Sequence, residues 1–356
     1  MLRRLCAALV AAILLASLAA CSTEPERSVG PAPSAGASSS APTSGSSAST
    51  SGAASPTPSA AGVLGDPSEP VSLAALAQRR LDGGGLRIGR EVLGSARHRQ
   101  YEVSYRSGGL RVTGRLAVPN GAGPFPAVVL AHGYIEPSIY VNGQGMTRER
   151  AWLADRGFVV LHADYRGHAD SAPDPSGGTD LRLGYTEDVL NAVLALRSWS
   201  GPVDDDRVAL VGRSMGGGIV YNALITHPGL VRAGVVFAPV SSLAAENFDQ
   251  FNRPDLDTVG VGAAIVRRHG APEDNPRLWR GVSARPYFAA ITEPVLIHHG
   301  KADDTCPPRW SRATARAMRA AGVEVALREY EGEGHAFGPQ FDRSMQVTLR
   351  FLRSRL

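Results

Sequence analysis

Apolar residues follow two patterns along this chain. From about residue 125 onward, short unbroken apolar runs alternate with longer stretches in which apolar positions return every three or four residues. The short runs are Ala127–Ala131, Phe158–Ala163, Val208–Val211, Ala233–Phe237, Val295–His298 and Val325–Tyr330. Their length and the turn residues around them predict strands covered on both faces. The periodic stretches predict helices near Met146–Arg156, Leu183–Trp199, Met215–Thr226, Arg309–Ala321 and Phe341–Leu352. In the last of these, Phe341, Met345, Leu349 and Leu352 share one face. Strand–helix alternation of this kind predicts a mainly parallel sheet with helices on both sides.

Other segments break the alternation. Leu73–Leu81 predicts a short amphipathic helix stopped by Gly83-Gly84-Gly85. Gln100–Tyr105, the turn Ser107-Gly108-Gly109 and Leu110–Val118 predict an antiparallel hairpin. The stretch 241–285 shows no strand–helix rhythm and is expected to be a lid insertion. Its Phe248, Phe251 and Trp279, with Tyr287 just beyond, either line a pocket or pack the lid onto the domain.

The N-terminal part has a different composition. Residues 1–20 combine a basic start, Arg3-Arg4, with the apolar stretch Leu5–Ala20, which is short for a permanent membrane span. Residues 21–62 are rich in Ser, Ala, Gly, Pro and Thr and have almost no large apolar side chains, so they are expected to form a disordered tether. Residues 63–356 are then the catalytic domain, long enough to bury a large core. Of three cysteines, Cys6 falls in the first segment, Cys21 follows it and only Cys306 lies in the domain, so no disulfide forms within the domain. Formal charge is +4, from dispersed basic residues without a basic run, which argues against nucleic-acid binding.

The chemistry centres on Gly212-Arg213-Ser214-Met215-Gly216. An apolar strand precedes it and a helix follows, the setting of a nucleophile elbow. Glycine at 212 and 216 removes side chains that such a sharp turn would bring into collision. A serine nucleophile needs a base, and the base needs an orienting acid. After the strand ending at His298 come Asp303 and Asp304, either of which suits that acid. His335, in the glycine-flanked Gly332-Glu333-Gly334-His335-Ala336-Phe337, suits the base. Developing oxyanion charge needs N–H donors. Met215 supplies one and Tyr134, after the strand that ends in His132-Gly133, supplies the other. His298 and His299 are read as packed or turn residues, His227 as a helix-end residue, and His98 and His269 as lacking companion groups. No metal-ligand spacing occurs, and no metal or cofactor is implied.

These strings together resemble the α/β-hydrolases, and within them the catalytic domain of the prolyl oligopeptidase group. Asp164-Tyr165-Arg166-Gly167-His168-Ala169-Asp170-Ser171 is similar to the family loop D-x-R-G-x-G-x-S, with Ala169 in place of its second glycine. Gly212–Gly217 is similar to G-x-S-x-G-G. His299–Pro307 is similar to H-G-x-x-D-x-x-V-P, with Cys306 in place of valine, and Gly332–Phe337 to G-x-G-H-x-F. The resemblance covers roughly residues 100–356. It implies an eight-stranded-type α/β-hydrolase sheet and the triad Ser214, Asp303 and His335, and it selects Asp303 over Asp304. Asp164 and Arg166 are expected to hold a structural loop behind the site, and Cys306 to be a small buried residue. The resemblance implies hydrolysis of an ester or amide through an acyl-enzyme. A strict oligo- or dipeptidyl peptidase, an acyltransferase and a non-catalytic binding lipoprotein are the alternatives. The family's β-propeller has no room in this chain, so the propeller-borne acids that anchor a peptide N-terminus do not carry over. Leu18-Ala19-Ala20-Cys21 resembles a bacterial lipobox, implying lipidation at Cys21 and an exported, membrane-anchored protein of the cell envelope.

Overall fold

The computed structural model describes residues 63–256 and 260–356. The expected signal at 1–20, the lipidation site Cys21 and the tether 21–62 lie outside the described residues. The described residues belong to one unit, Pro56–Leu356. Its centre is a nine-stranded sheet in the order β1-β2-β3-β5-β4-β6-β7-β8-β9. The strands are β1 (Arg87–Val92), β2 (His98–Ser107), β3 (Leu110–Pro119), β4 (Phe125–Ala131), β5 (Val159–Ala163), β6 (Val203–Arg213), β7 (Ala233–Phe237), β8 (Val295–Gly300) and β9 (Val325–Tyr330). β1, β2 and β3 pair antiparallel, as do β3 and β5. From β5 to β9 every pairing is parallel.

The expected eight-stranded-type sheet thus gains a ninth strand, β1. Its sequence, Arg-Ile-Gly-Arg-Glu-Val, is almost wholly exposed. As an edge strand it covers no core, so it carries no alternating apolar signature for a sequence reading to find.

The inner parallel strands are buried on both faces along their apolar runs, but β9, expected to be covered likewise, is an edge strand with Arg328 and Glu329 exposed. Val128 and Leu130 face one core, with Trp152, Met345 and Leu352. Val129 and Ala131 face the other, with Leu190, Val220 and Leu224. The helices are α1 (Leu73–Gln78), α2 (Thr147–Ala154), α3 (Leu183–Arg197), α4 (Met215–Thr226), α5 (Ala244–Phe251), α6 (Val261–His269), α7 (Pro276–Gly281), α8 (Pro308–Ala320) and α9 (Phe341–Arg353). The stretch expected to be a lid holds α5, α6 and α7. There Phe248 is buried against Trp279, with ring centroids 4.9 Å apart, while Phe251 is exposed.

Strand order reverses at β4. The chain passes from β4 to β5 on one side, then crosses to β6 on the other and continues outward to β9. In open α/β sheets such a switch point leaves a crevice at the carboxyl ends of the strands. The segments that follow β4, β6, β8 and β9 all emerge at that edge.

Candidate active site

Ser214 stands between β6 and α4 with φ +55° and ψ −120°, a left-handed conformation rare for a non-glycine residue. The turn is tight. A Cβ on Gly212 would collide with the Gly216 carbonyl, and one on Gly216 with the Ala131 carbonyl, so both positions must be glycine. Three neighbours lock the strained residue: its N–H donates to Phe237 O (3.0 Å), and its carbonyl accepts from Gly217 N (2.9 Å) and Val240 N (3.2 Å). Strain of this kind persists only where the surroundings over-determine it.

Asp303 and His335 come together as the sequence motifs predict. His335 Nδ1 lies 2.9 Å from Asp303 Oδ2. The Asp303 side chain is fully buried and that of His335 partly exposed. Asp303 Oδ1 accepts from Thr305 N (3.0 Å) and Cys306 N (2.9 Å). The His299 ring lies on the other side, with Nε2 at 3.2 Å from Asp303 Oδ2. Burial pushes the Asp303 carboxyl up, but the bonds from His299, His335 and Cys306 N–H outweigh it and hold the acid well below its ordinary value. Asp304 is exposed and meets only Thr305 Oγ1.

Ser214 Oγ makes no hydrogen bond to the His335 ring. Its neighbour is the Cys306 thiol, which burial and then the Asp303 charge push up to about 12. Cys306 is wholly buried, as expected. On the other flank, Gly133 packs on Ser214: a Cβ there would come within 3.2 Å of Ser214 Cβ. That contact brings the β4 loop, with Tyr134 exposed on it, beside the elbow. Met215 is the first residue of α4, where an N–H has no partner within the helix.

Asp164 and Arg166 hold the loop through different partners. Arg166 reaches α3, at 2.8 Å from Asp188 Oδ1 and 3.0 Å from Glu187 Oε2. Asp164 is bound by Thr113, Tyr140, Asn142 and Gly143. Both residues are structural, but as hubs of separate networks. His98 and His269 do have companions: His98 Nδ1 lies 2.8 Å from Asp155 Oδ1, and His269 Nε2 lies 2.9 Å from Thr179 O. Asp155 and Thr179 lie 57 and 90 residues away along the chain, but His98 also meets the nearby Ser95 Oγ at 2.9 Å and Gln100 Nε2 at 3.0 Å.

A model of the prolyl oligopeptidase family matches residues 145–354, more than half of the chain. The chain belongs to the prolyl oligopeptidase family. It is 28% identical over 246 residues to dipeptidyl aminopeptidase BIII of Pseudoxanthomonas mexicana, a match covering 64% of this chain and 33% of that protein. The chain therefore spans about a third of the length of that relative. It is 27% identical over 259 residues to monoacylglycerol lipase of Mycolicibacterium smegmatis, covering 64% of this chain and 87% of the lipase. Acylaminoacyl peptidase in complex with Z-Gly-Gly-Phe-chloromethyl ketone has the same fold, with TM-score 0.58 at 20% identity over 73% of this chain and 42% of that one. Acetyl xylan esterase 1 from Thermoanaerobacterium sp. does too, with TM-score 0.60 at 19% identity over 82% and 97%. This family member has an α/β-hydrolase fold.

Sequence reading undervalued one residue of this family member's site. His299 is not merely packed. Its Nδ1 meets Ser311 Oγ at 2.6 Å, and its Nε2 meets both Cys306 O at 2.8 Å and Asp303. With Ser311 donating to Nδ1, Nε2–H donates to Cys306 O and lies beside the Asp303 carboxylate, so the ring braces the loop that holds the acid. The signal was present in the spacing, a histidine four residues before the acid at a strand end.

Proposed function

We propose that this protein hydrolyses carboxylic esters or amides of small or exposed substrates through Ser214, His335 and Asp303. The observation that carries this reading is the Asp303–His335 hydrogen bond at the same sheet edge as the strained Ser214 elbow. In the reaction, Ser214 Oγ attacks the carbonyl carbon and its proton passes to His335 Nε2. Asp303 accepts from Nδ1–H and stabilises the imidazolium. The negative oxygen receives the N–H groups of Met215 and Tyr134. As the tetrahedral adduct collapses, His335 returns the proton to the leaving alcohol or amine. Water then attacks the acyl-enzyme, with His335 again taking the proton, and the acid is released. Ser214 Oγ and the His335 ring are not bonded in the free site; such contacts often tighten only with substrate bound.

The names of the relatives, an aminopeptidase and a lipase, support both an acyl-ester and a peptide panel. The test is covalent labelling of the full-length chain with a fluorophosphonate, beside Ser214→Ala and His335→Ala. Labelling that requires both residues is expected. A folded wild-type chain that stays unlabelled, or equal labelling of Ser214→Ala, overturns the triad. We further propose that the chain is exported and anchored through a lipid on Cys21. Incorporation of a fatty-acid analogue that vanishes in Cys21→Ala is the expected outcome, and incorporation unchanged in that variant removes the anchor.

A further inference from the structure

Two arginines bind the loop that carries His335, and one of them is the chain neighbour of the nucleophile. Arg213, between Gly212 and Ser214, donates from Nη1 to Ala336 O at 3.2 Å. Its Nη2 pairs with the buried Glu149 of α2. Arg148, also on α2, donates from Nη2 to Ala336 O and to Phe337 O, each at 2.8 Å. Its guanidinium lies 4.2 Å over the Phe341 ring. The Ala336 carbonyl thus accepts two charge-assisted bonds, stronger than neutral ones, and it follows His335 directly.

The loop is held from its other side as well. Phe337 adopts φ +50° and is buried, with its ring 5.6 Å from Phe237 and 5.2 Å from Tyr330. Glu333 accepts from Gly338 N and Gln340 N. What they share is His335.

We infer that Arg213 and Arg148 are positioning residues that set the separation of His335 from Ser214. Residue 213 precedes the nucleophile and residue 336 follows the base, so a bond between them ties the two through their immediate neighbours. Arg148 and Glu149 anchor the tie to α2. A tie of this kind is needed because Ser214 and His335 do not bond each other directly, and a displacement near 1 Å is enough to cost on the order of a hundredfold in rate. The inference rests on the triad reading above.

Arg148→Met decides it in the full-length chain. The methionine keeps an apolar stem over Phe341 and removes both donated bonds, and position 148 is exposed, so folding is preserved. With 4-nitrophenyl butyrate, kcat is expected to fall about tenfold with KM within about twofold, and the fluorophosphonate labelling rate to fall alike. Arg148→Lys, which keeps a cationic donor, is expected to recover most of the loss. Arg213→Lys is expected to show the same kcat-only loss; if it fails to fold, Arg148→Met still decides. Unchanged kcat in folded Arg148→Met, a loss confined to KM, or a loss that lysine does not relieve overturns the tie. An inert wild type, or an active Ser214→Ala, instead overturns the triad.

Discussion

Asp164 and Asp303 are both buried carboxylates just past the ends of two strands of the parallel part of the sheet, β5 and β8, yet their surroundings drive them in opposite directions. Asp164 accepts from Thr113 Oγ1 (2.7 Å), Tyr140 OH (2.8 Å), Asn142 Nδ2 (2.5 Å) and Gly143 N (2.8 Å), all neutral donors. Burial dominates there, and the carboxyl is held above its ordinary value in spite of them. Asp303 has two backbone N–H donors plus two imidazoles, and it is held well below. The number of donors is similar, so number does not separate them. The difference is depth and direction: the Asp164 carboxyl is more deeply enclosed, so burial wins there, while the Asp303 carboxyl is less enclosed and the bonds from His299, His335 and Cys306 N–H outweigh burial. A carboxylate among neutral donors organises a loop, and one facing a titrating ring can stabilise a charge that appears during a reaction.

The largest expected effect breaks the first half of that comparison. Asp303→Asn presents an amide to His335 Nδ1 and favours the wrong tautomer. It is expected to lower kcat roughly ten-thousandfold while the thermal midpoint moves little. A kcat within tenfold of wild type would remove Asp303 from the triad. Asp164→Asn inverts the pattern. The amide nitrogen meets groups that themselves donate, so stability is expected to fall by about 1–3 kcal/mol in urea unfolding. Its kcat is expected to stay within about tenfold. Equal losses of activity in the two variants would erase the distinction.

The same contrast marks what a sequence reading recovers. β7, β9 and α4 begin and end where the apolar pattern placed them, at Ala233–Phe237, Val325–Tyr330 and Met215–Thr226. The Asp303–His335 pair was legible because two glycine-rich strings follow strands of one parallel sheet in fixed order. β1 was not legible because an exposed edge strand has no apolar code. β6 begins at Val203, earlier than the apolar run, because its first residues, Val203-Asp204-Asp205-Asp206, read as a turn. The Arg166–Asp188 and Arg213–Ala336 bonds were invisible for another reason: each joins residues on different elements, and composition holds no trace of such pairing.

Buried histidines extend the comparison to pH. Burial pulls His132 and His298 down to about 3, below their ordinary 6.5. Both rings are neutral in the folded chain at neutral pH. His132 lies between Gly133 O (2.6 Å) and Asp164 O (3.2 Å), and a neutral ring can donate to only one of them. Between about pH 6.5 and 3 the unfolded chain binds protons that the folded chain does not. Stability is therefore complete above about pH 6.5 and falls as pH drops through that window, by up to ~1.4 kcal/mol per pH unit for each ring. Asp303, depressed rather than raised, keeps its contribution until the pH falls below its ordinary 3.8 and then adds to the loss. Asp164, held above its ordinary value, works the other way as the pH falls, so the decline of the urea midpoint is expected to be steepest between pH 7 and 5.5 and to flatten toward pH 4.5; a midpoint that rises between pH 7 and 5.5 would contradict the neutral, buried state of these rings.

The smallest expected effect concerns Cys306, which touches both halves of the site. Its thiol neighbours Ser214 Oγ, and its backbone N–H donates to Asp303 at 2.9 Å. A reactive cysteine needs an exposed, electropositive setting that favours the thiolate. Cys306 has the opposite: it is wholly buried, and both burial and the Asp303 charge favour the thiol. Its service to the site comes from the backbone, which any residue supplies. Cys306→Val keeps that N–H and nearly the same volume, so it is expected to cost less than about 1.5 kcal/mol. Its kcat is expected to stay within about threefold of wild type, because the proposed base, His335, is untouched and Ser214 Oγ loses only a weak sulfur contact. Iodoacetamide is expected to leave Cys306 unmodified in the folded chain. A hundredfold loss of kcat in a stable Cys306→Val would mean that the thiol, rather than the backbone beside it, serves the nucleophile.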